Sequence, residues 1–271
     1  MATPQRPGFP ARIDMGKTSP ALGGRPVPRR PATPGSLPSA PASVTEGVGT
    51  AISARDPIPA RARMVQQLAE GGVRDTQVLR AMGAVDRHRF VDSALVPQAY
   101  EDTALPIGLG QTISKPSVVA RMVELLMQGG LRGADGRLGR VLDIGTGCGY
   151  QAVVLGQLAS EVYSIERLRD LHEKARANLR PLRIANVHLI LGDGMAGFAK
   201  GAPYAGIIAA AGGDAIPDAW IEQLAYGGRL VAPIAHGPGQ QALMVVDRSR
   251  QGVQQTILEA VNFVPLKSGV A

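Results

Sequence analysis

The pattern of hydrophobic positions changes along this chain of 271 residues. From about residue 61 onward, short apolar runs alternate with segments in which apolar residues recur every three or four positions. Such runs predict buried strands, and the recurring positions predict helices between them. The five apolar runs span residues 141–144, 161–166, 187–191, 205–211 and 230–234. Two further runs, 242–246 and 255–263, have no helical pattern between them and predict an antiparallel hairpin at the sheet edge. The sequence therefore predicts an α/β fold with a doubly wound, mostly parallel seven-stranded sheet.

Three helical patterns precede this sheet. The first opens near Arg61 and is predicted to end at the glycine pair 71–72. Asp75 is placed to cap the second, because Asp is a preferred N-cap residue. The third follows Pro116. Another glycine pair, 227–228, is predicted to end the helix that follows the fourth strand.

Residues 1–60 lack this apolar periodicity. They hold more than half of the chain's 21 prolines, mixed with Gly, Ser, Ala and Arg. Such a segment cannot bury enough apolar surface to offset the entropy of ordering it, so a disordered tail is predicted before one folded domain at residues 61–271. The formal net charge is +7, and the tail supplies more than half of it. A solubilising tail is favoured, while a nucleic-acid-binding tail and a start codon assigned too far upstream stay open.

Composition restricts the class of protein further. No run of about 18 apolar residues is present, so no transmembrane helix is predicted. The N-terminus has no apolar core of the signal-peptide type, so export is not expected. Cys148 is the single cysteine, which rules out an internal disulfide and fits a reducing cytoplasm. One Cys and four His show no metal-ligand spacing, so no metal is expected.

One predicted strand, which contains Asp143, runs into a loop of alternating glycines, Gly145, Gly147 and Gly149. Glycine can adopt positive φ and lets a ligand approach the main chain. A strand, a glycine-rich turn and a helix begin many nucleotide-binding sheets, but Tyr150 stands where a dinucleotide fingerprint needs its third glycine. The G-x-G-x-G spacing instead resembles the first motif of S-adenosylmethionine-dependent methyltransferases. A tight turn without a ligand is the alternative.

The next two strands also end near acidic side chains. Glu166 ends the second strand about 20 residues past the first glycine, the usual spacing for a carboxylate that binds ribose hydroxyls. Asp193 follows the third strand, directly before Gly194. The carboxyl ends of parallel strands form the ligand-binding edge of such sheets. Together with Asp143, these acids predict a nucleoside-containing cofactor at that edge.

A serine lies at the predicted start of the helix before the sheet, within the segment Gly-Gln-Thr-Ile-Ser-Lys-Pro at 110–116. Judged from the residues alone, Ser114 is favoured as a helix N-cap with Pro116 in the first turn. A catalytic role is the alternative.

From about Arg61 to Leu266 the chain resembles the protein-L-isoaspartate O-methyltransferase family. The matching segments are residues 87–91, 110–116, 141–150, 192–194, 216–217, 223–224, 227–230 and 263–266. Thr-Ile-Ser-x-Pro at 112–116 and Phe-Val-Pro-Leu at 263–266 are more specific than the glycine motif. The resemblance implies a Rossmann-like fold that moves a methyl group from S-adenosylmethionine to the free carboxyl of L-isoaspartyl residues in damaged proteins and peptides. It also implies that Ser114 is catalytic, which reverses the preference for a cap.

The motifs and the resemblance together predict the site. Ser114 is the catalytic residue. The residues expected to bind the cofactor are Thr112, Ile113, Asp143, Gly145, Thr146, Gly147, Gly149, Glu166, Asp193 and Gly194. No protein base is needed, because an acceptor carboxylate with a pKa of about 4 is already ionised at neutral pH. A hydroxyl and main-chain N–H groups are suited to orient it.

The end of the fourth strand departs from the family pattern, since residues 209–213 read Ala-Ala-Ala-Gly-Gly. The chain also departs at Ala205, where the family usually has Asp, and both changes are expected to flank the cofactor and substrate side. The change at Ala205 suggests one alternative, a weakly active paralogue that binds cofactor or damaged protein. The other is a methyltransferase of the same fold with another substrate. The small charge of the folded domain and the lack of an Asn-Pro-Pro-Tyr-type motif argue against nucleic acid. A cytoplasmic monomer is expected.

Overall fold

The computed structural model describes residues 57–271. The helices of this part of the chain are α1 (Pro57–Glu70), α2 (Thr76–Ala84), α3 (Pro116–Gly129), α4 (Tyr150–Gly156), α5 (Arg169–Leu179) and α6 (Asp218–Gln223). The strands are β1 (Leu105–Gly108), β2 (Gln111–Ile113), β3 (Leu138–Ile144), β4 (Ala159–Glu166), β5 (Val187–Leu191), β6 (Tyr204–Ala209), β7 (Leu224–Ala235), β8 (Gln241–Ser249) and β9 (Gly252–Val261). Short 3-10 turns occupy Arg87–Phe90, Ser93–Gln98, Arg180–Leu182, Gly194–Ala196 and Ala199–Gly201.

Seven strands form the main sheet in the order β5-β4-β3-β6-β7-β8-β9. The four pairings from β5 to β7 are parallel, and β7 with β8 and β8 with β9 are antiparallel. The predicted sheet and its antiparallel hairpin at the edge are confirmed. The two short strands β1 and β2 form a separate antiparallel hairpin.

Helices cover both faces of the sheet, because successive strand residues point to opposite sides. Val141 of β3 packs in a buried cluster with residues of α1 to α5. Its neighbour Leu142 packs on the other face in a cluster that includes Trp220 of α6. Strand β6 is buried at every position, as an all-apolar strand covered on both faces requires. This is the doubly wound arrangement that the sequence predicted.

The structure corrects the predicted boundaries of two helices. Helix α1 begins at Pro57, inside the range expected to be tail; the rest of that predicted tail lies outside the described residues. Helix α6 ends at Gln223, and the glycine pair 227–228 lies within β7. Glycine relieves a tight contact there, because a Cβ on Gly228 would lie 3.0 Å from the carbonyl oxygens of Ala225 and Tyr204. The pair therefore serves close strand packing and does not end a helix.

Candidate active site

A cavity of about 510 Å³ lies at the carboxyl ends of β3 and β6. Strand order reverses between these two strands, because β4 and β5 extend the sheet to one side of β3 while β6 lies on its other side. The loops that follow them, beginning at Gly145 and Ala210, both line the cavity. Open α/β sheets bind ligands at such switch points. The volume falls within the usual range for small-molecule sites.

The glycine loop forms the first wall of the cavity. Gly145, Gly147 and Gly149 have φ values of 90°, 55° and 92°, so all three use the positive φ that their spacing predicted. Gly145 and Gly147 line the cavity, but Gly149 does not. A Cβ on Gly149 would lie 2.5 Å from Leu179 Cδ1. This glycine therefore allows α5 to pack against the start of α4, and the structure does not place it where a ligand would bind.

Glu166 connects the glycine loop to the end of β4. Its buried carboxylate accepts hydrogen bonds from the main-chain N–H groups of Gly147 and Leu168, each at 2.9 Å, and it lines the cavity. A carboxylate has about four acceptor positions. The two that remain can accept hydrogen bonds from ligand hydroxyls.

Asp143 lies behind the glycine loop and does not line the cavity, which corrects its predicted place among the cofactor contacts. It is fully buried and accepts hydrogen bonds from Gln151 Nε2 at 2.8 Å and Ser164 Oγ at 2.7 Å. Burial raises the pKa of Asp143 to about 6, although these two hydrogen bonds act to lower it. Thr146 lines the cavity, but its hydroxyl lies 2.7 Å from Ser164 Oγ and belongs to the same buried network. Asp143 thus fixes the loop from behind.

The hairpin β1–β2 and the residue after it form the second wall. The predicted residues found here are Thr112, Ile113 and Ser114. Lys115 is the N-cap of α3 and makes no capping bond, while Asp102 accepts a hydrogen bond from Ser117 N at 2.8 Å. The interpretation of Ser114 as a helix cap is therefore wrong. Within residues 57–271 its hydroxyl has no hydrogen-bond partner.

Residues 264–267 form a third wall that the sequence did not predict. The family motif at 263–266 marked this segment but gave no indication of its position. Gly212 N donates to Val264 O at 2.9 Å, and Leu266 N donates to Gly212 O at 2.7 Å, which holds the segment beside the end of β6. Gly269 N then donates to Asp193 Oδ2 at 2.7 Å. Asp193 therefore anchors this segment and does not line the cavity, whereas Gly194 does.

The ionisable groups of the cavity wall include no free base. Burial raises the pKa of the Cys148 thiol and raises the pKa of Tyr150 to about 12, so both are neutral at pH 7. Arg167 and Lys267 contribute cationic side chains, and the described lining contains no histidine. The wall can bind and orient a ligand, and its one carboxylate among the described residues, Glu166, already binds the main chain of Gly147 and Leu168.

Ala205 lies far from this chemistry. It is buried near the start of β6, where a Cβ on Gly139 would lie 3.1 Å from its own Cβ. The cavity is lined by residues beyond the other end of that strand, Ala210 and Ala211. The expectation that the departures flank the cofactor and substrate side is therefore wrong for Ala205, whereas the changed strand end at 209–213 does reach the cavity.

Residues 57–271 lack a metal-binding cluster and a membrane-spanning helix. This part of the chain has no group of three or more His, Cys, Asp or Glu placed to hold a metal ion. It also has no helix that is long and apolar enough to cross a membrane.

Comparison with known proteins gives one consistent family. Residues 60–271 match the family model described as protein-L-isoaspartate(D-aspartate) O-methyltransferase. A protein-L-isoaspartate O-methyltransferase of Methylibium petroleiphilum is 53% identical over 275 residues, with 99% of each chain covered. One of Leptothrix cholodnii is 56% identical over 248 residues, covering 91% of this chain and 85% of the relative.

Two solved structures share the fold. One, named protein-L-isoaspartate O-methyltransferase, has a TM-score of 0.68 at 28% identity and covers 78% of this chain and 67% of its own. The other is a proposed protein-L-isoaspartate O-methyltransferase from Plasmodium falciparum in complex with S-adenosyl-L-homocysteine. Its TM-score is 0.65 at 24% identity, with 76% of this chain and 98% of its own covered. On the family match and these relatives, the chain belongs to the protein-L-isoaspartate O-methyltransferase family.

Proposed function

We propose that this protein transfers the methyl group of S-adenosylmethionine to the free carboxyl of L-isoaspartyl residues in damaged proteins and peptides. The observation that carries the proposal is that, apart from Glu166, which binds the glycine loop and is assigned to the cofactor, the described groups of the cavity wall include no base. The Cys148 thiol and the Tyr150 phenol are neutral, and Glu166 accepts two main-chain hydrogen bonds. An alcohol or amine acceptor must lose a proton and would need such a base. A carboxylate is already ionised at neutral pH and needs none.

The first wall fits S-adenosylmethionine, which supplies a methyl group on a positively charged sulfur. Gly145 and Gly147 carry no side chains that would keep a ligand from the main chain. Glu166 retains acceptor positions for the ribose hydroxyls. Leu168 and Leu171 line the same region and offer apolar surface to a flat base. These residues bind and orient the cofactor, and Asp143 holds the loop in place.

Ser114 is assigned to the acceptor carboxylate. Its hydroxyl has no hydrogen-bond partner within residues 57–271, and the residue lines the same cavity as the glycine loop, so it can donate to one carboxylate oxygen. The other oxygen must then lie in line with the sulfur–methyl bond at near-attack distance. Carboxylate and sulfonium charges both diminish during transfer, so a site that excludes water favours the reaction if a few donors fix the geometry.

Three finer expectations accompany this function. The folded domain is assigned to residues 61–271 after a tail at 1–60. Helix α1 begins slightly before this boundary, at Pro57. The single cysteine supports a cytoplasmic location. The protein is proposed to act as a monomer on single peptide segments.

The test uses S-adenosylmethionine with a labelled methyl group and a peptide with one isoaspartyl residue. The same peptide with normal aspartate is the control. Base-labile label on the isoaspartyl peptide alone is the expected result. Label on neither peptide, with S-adenosyl-L-homocysteine still bound in calorimetry, would favour the paralogue that binds without turnover. Label on both would contradict the proposed specificity.

A further inference from the structure

Arg87 is a buried cation directly behind the second wall of the cavity. It opens the 3-10 turn Arg87–Phe90 and has no exposed surface. Its Nε donates to Ala99 O at 2.8 Å, and its Nη2 donates to Ser114 O at 2.7 Å. Its Nη1 is buried and has no acceptor within residues 57–271. The side chain therefore holds the main chain of the serine whose hydroxyl borders the cavity.

No anion pairs with this guanidinium in the described structure. None of the ion pairs between residues 57 and 271 includes Arg87. The nearby Tyr150 and Cys148 are neutral at pH 7, and the Tyr150 ring lies under the guanidinium with its centroid 4.9 Å from Cζ. The charge of Asp102 acts to raise the pKa of Arg87, but the two do not form an ion pair, and both Asp102 oxygens already accept hydrogen bonds from Ser117. Burial lowers the pKa of Arg87, but arginine stays protonated in proteins.

A buried and unpaired charge costs several kcal/mol, so proteins normally pair it. A role limited to tying two carbonyls together explains the hydrogen bonds to Ala99 and Ser114, but a neutral donor would serve that purpose at lower cost. An anion that enters the cavity next to Ser114 would offset part of the cost. The isoaspartyl carboxylate is such an anion.

We propose that Arg87 is a positioning and specificity residue for the acceptor: it fixes Ser114 and places an unpaired positive charge behind the carboxylate subsite. The proposal rests on the proposed function and adds to it the reason why a carboxylate is chosen. Because Arg87 acts through Ser114 and makes no direct contact, it attracts the carboxylate without forming an ion pair that would have to break during transfer.

The Ser114 carbonyl adds a second effect. The peptide bond that follows it is trans, so the N–H of Lys115 points away from Arg87. A hydrogen bond from a cation to the carbonyl polarises that peptide and strengthens the N–H as a donor. The N–H of Lys115 has no acceptor among the described residues, but Lys115 does not line the cavity, so the Ser114 hydroxyl is the donor assigned to the carboxylate.

Two variants separate the charge from the positioning. Arg87→Met removes the charge and both hydrogen bonds. Arg87→Lys loses the planar fork and keeps the charge only while the buried lysine is protonated, so this variant is measured near pH 6. Arg137→Met is the matched control. Like Arg87, Arg137 donates to two main-chain carbonyls, those of Gly156 and Ala159, and has one buried nitrogen, its Nε, without a partner within residues 57–271. Unlike Arg87, it does not contact a residue of the cavity wall through these hydrogen bonds. Urea unfolding reports whether each variant is folded.

The first readout is binding, measured by calorimetry on protein saturated with S-adenosyl-L-homocysteine. The ligands are an isoaspartyl peptide and the same peptide with that carboxyl converted to a carboxamide. We expect the preference for the carboxylate to fall about tenfold in Arg87→Met, since a unit charge at this range acts strongly in a poorly solvated site. Arg87→Lys should keep the preference within about threefold, and Arg137→Met should not change it.

The second readout is methylation. Arg87→Met should lower kcat/KM about a hundredfold, and Arg87→Lys should lower kcat about tenfold with little change in KM, because Ser114 is no longer fixed. A folded Met variant with unchanged carboxylate preference would overturn the proposal. An Arg87→Lys variant that loses the carboxylate preference, or that keeps the full kcat, would also overturn the proposal. This variant provides the test if the Met variant does not fold. A wild-type protein that methylates no isoaspartyl peptide would instead overturn the proposed function.

Discussion

Replacing Ser114 by Ala separates a structural role of this serine from a catalytic one. The hydroxyl has no partner within residues 57–271, so its removal should change the free energy of unfolding by less than about 0.5 kcal/mol. If the hydroxyl orients the acceptor carboxylate, kcat/KM should fall by a factor of about a hundred to a thousand, or about 2.7–4 kcal/mol, as for other single donors at a reacting centre. Affinity for S-adenosyl-L-homocysteine should change much less.

Ser117→Ala is the matched control on the same helix start. Its hydroxyl donates to Asp102 Oδ2 at 2.7 Å and lies outside the cavity lining. Its loss should cost up to about 1 kcal/mol of stability and leave kcat/KM unchanged. Ser114→Asp should have the lowest kcat/KM of the three variants, because its negative charge would repel the acceptor carboxylate. Urea unfolding, calorimetry and peptide methylation on all three variants complete the test. A Ser114→Ala protein that loses stability but keeps its activity, or an active Ser114→Asp protein, would refute the catalytic assignment.

Three further predictions follow from other residues. Glu166→Ala should weaken S-adenosylmethionine binding about ten- to a hundredfold, since it removes a charged acceptor, and an unchanged dissociation constant in calorimetry would contradict this. Burial raises the pKa of Asp143 from 3.8 to about 6, so the folded state binds this proton more tightly and the stability contributed by this carboxyl is lost as pH rises from about 4 to 6. Relative to Asp143→Asn, the wild-type protein should therefore lose about 2.4 kcal/mol of unfolding free energy between pH 4 and pH 7; a difference that is constant with pH would show that folding does not raise the pKa of this carboxyl. Deleting residues 1–56 should leave the melting temperature and methylation nearly unchanged, because that segment has no apolar periodicity, and a drop of several degrees would show otherwise.

Apolar runs were sufficient to predict the seven strands of the main sheet, because the pattern of each strand is local. Five of the strands contain buried positions, whereas β5 is half-buried throughout and β9 is mostly exposed. The glycine spacing likewise predicted three positive φ values. It could not predict which glycines face the ligand, since that depends on where α5 packs. Gly149 meets Leu179, which lies 30 residues further along the chain.

Other parts of the site depend on contacts between distant segments. Asp143 is a strand residue like its neighbours in sequence, and only the position of Gln151 and Ser164 shows that it belongs behind the loop. Ser114 precedes a helix, as a cap would, but Asp102 reaches the helix start from an earlier loop. The partners of Arg87, at Ala99 and Ser114, lie 12 and 27 positions away. Local sequence patterns carry no information about such pairings.

The three walls of the cavity also determine when in folding this protein can first hold its cofactor. The hairpin side comes from residues around Ile113, the glycine loop follows Asp143, and the third wall is Val264 to Lys267, about 150 positions after the hairpin. Contacts over such separations form late, because closing a long loop costs entropy before any contact is gained. A nascent chain that has already formed β3 and β4 still has an open groove in place of a cavity. A cofactor that contacts all three walls therefore stabilises the completed fold more than any partly folded state.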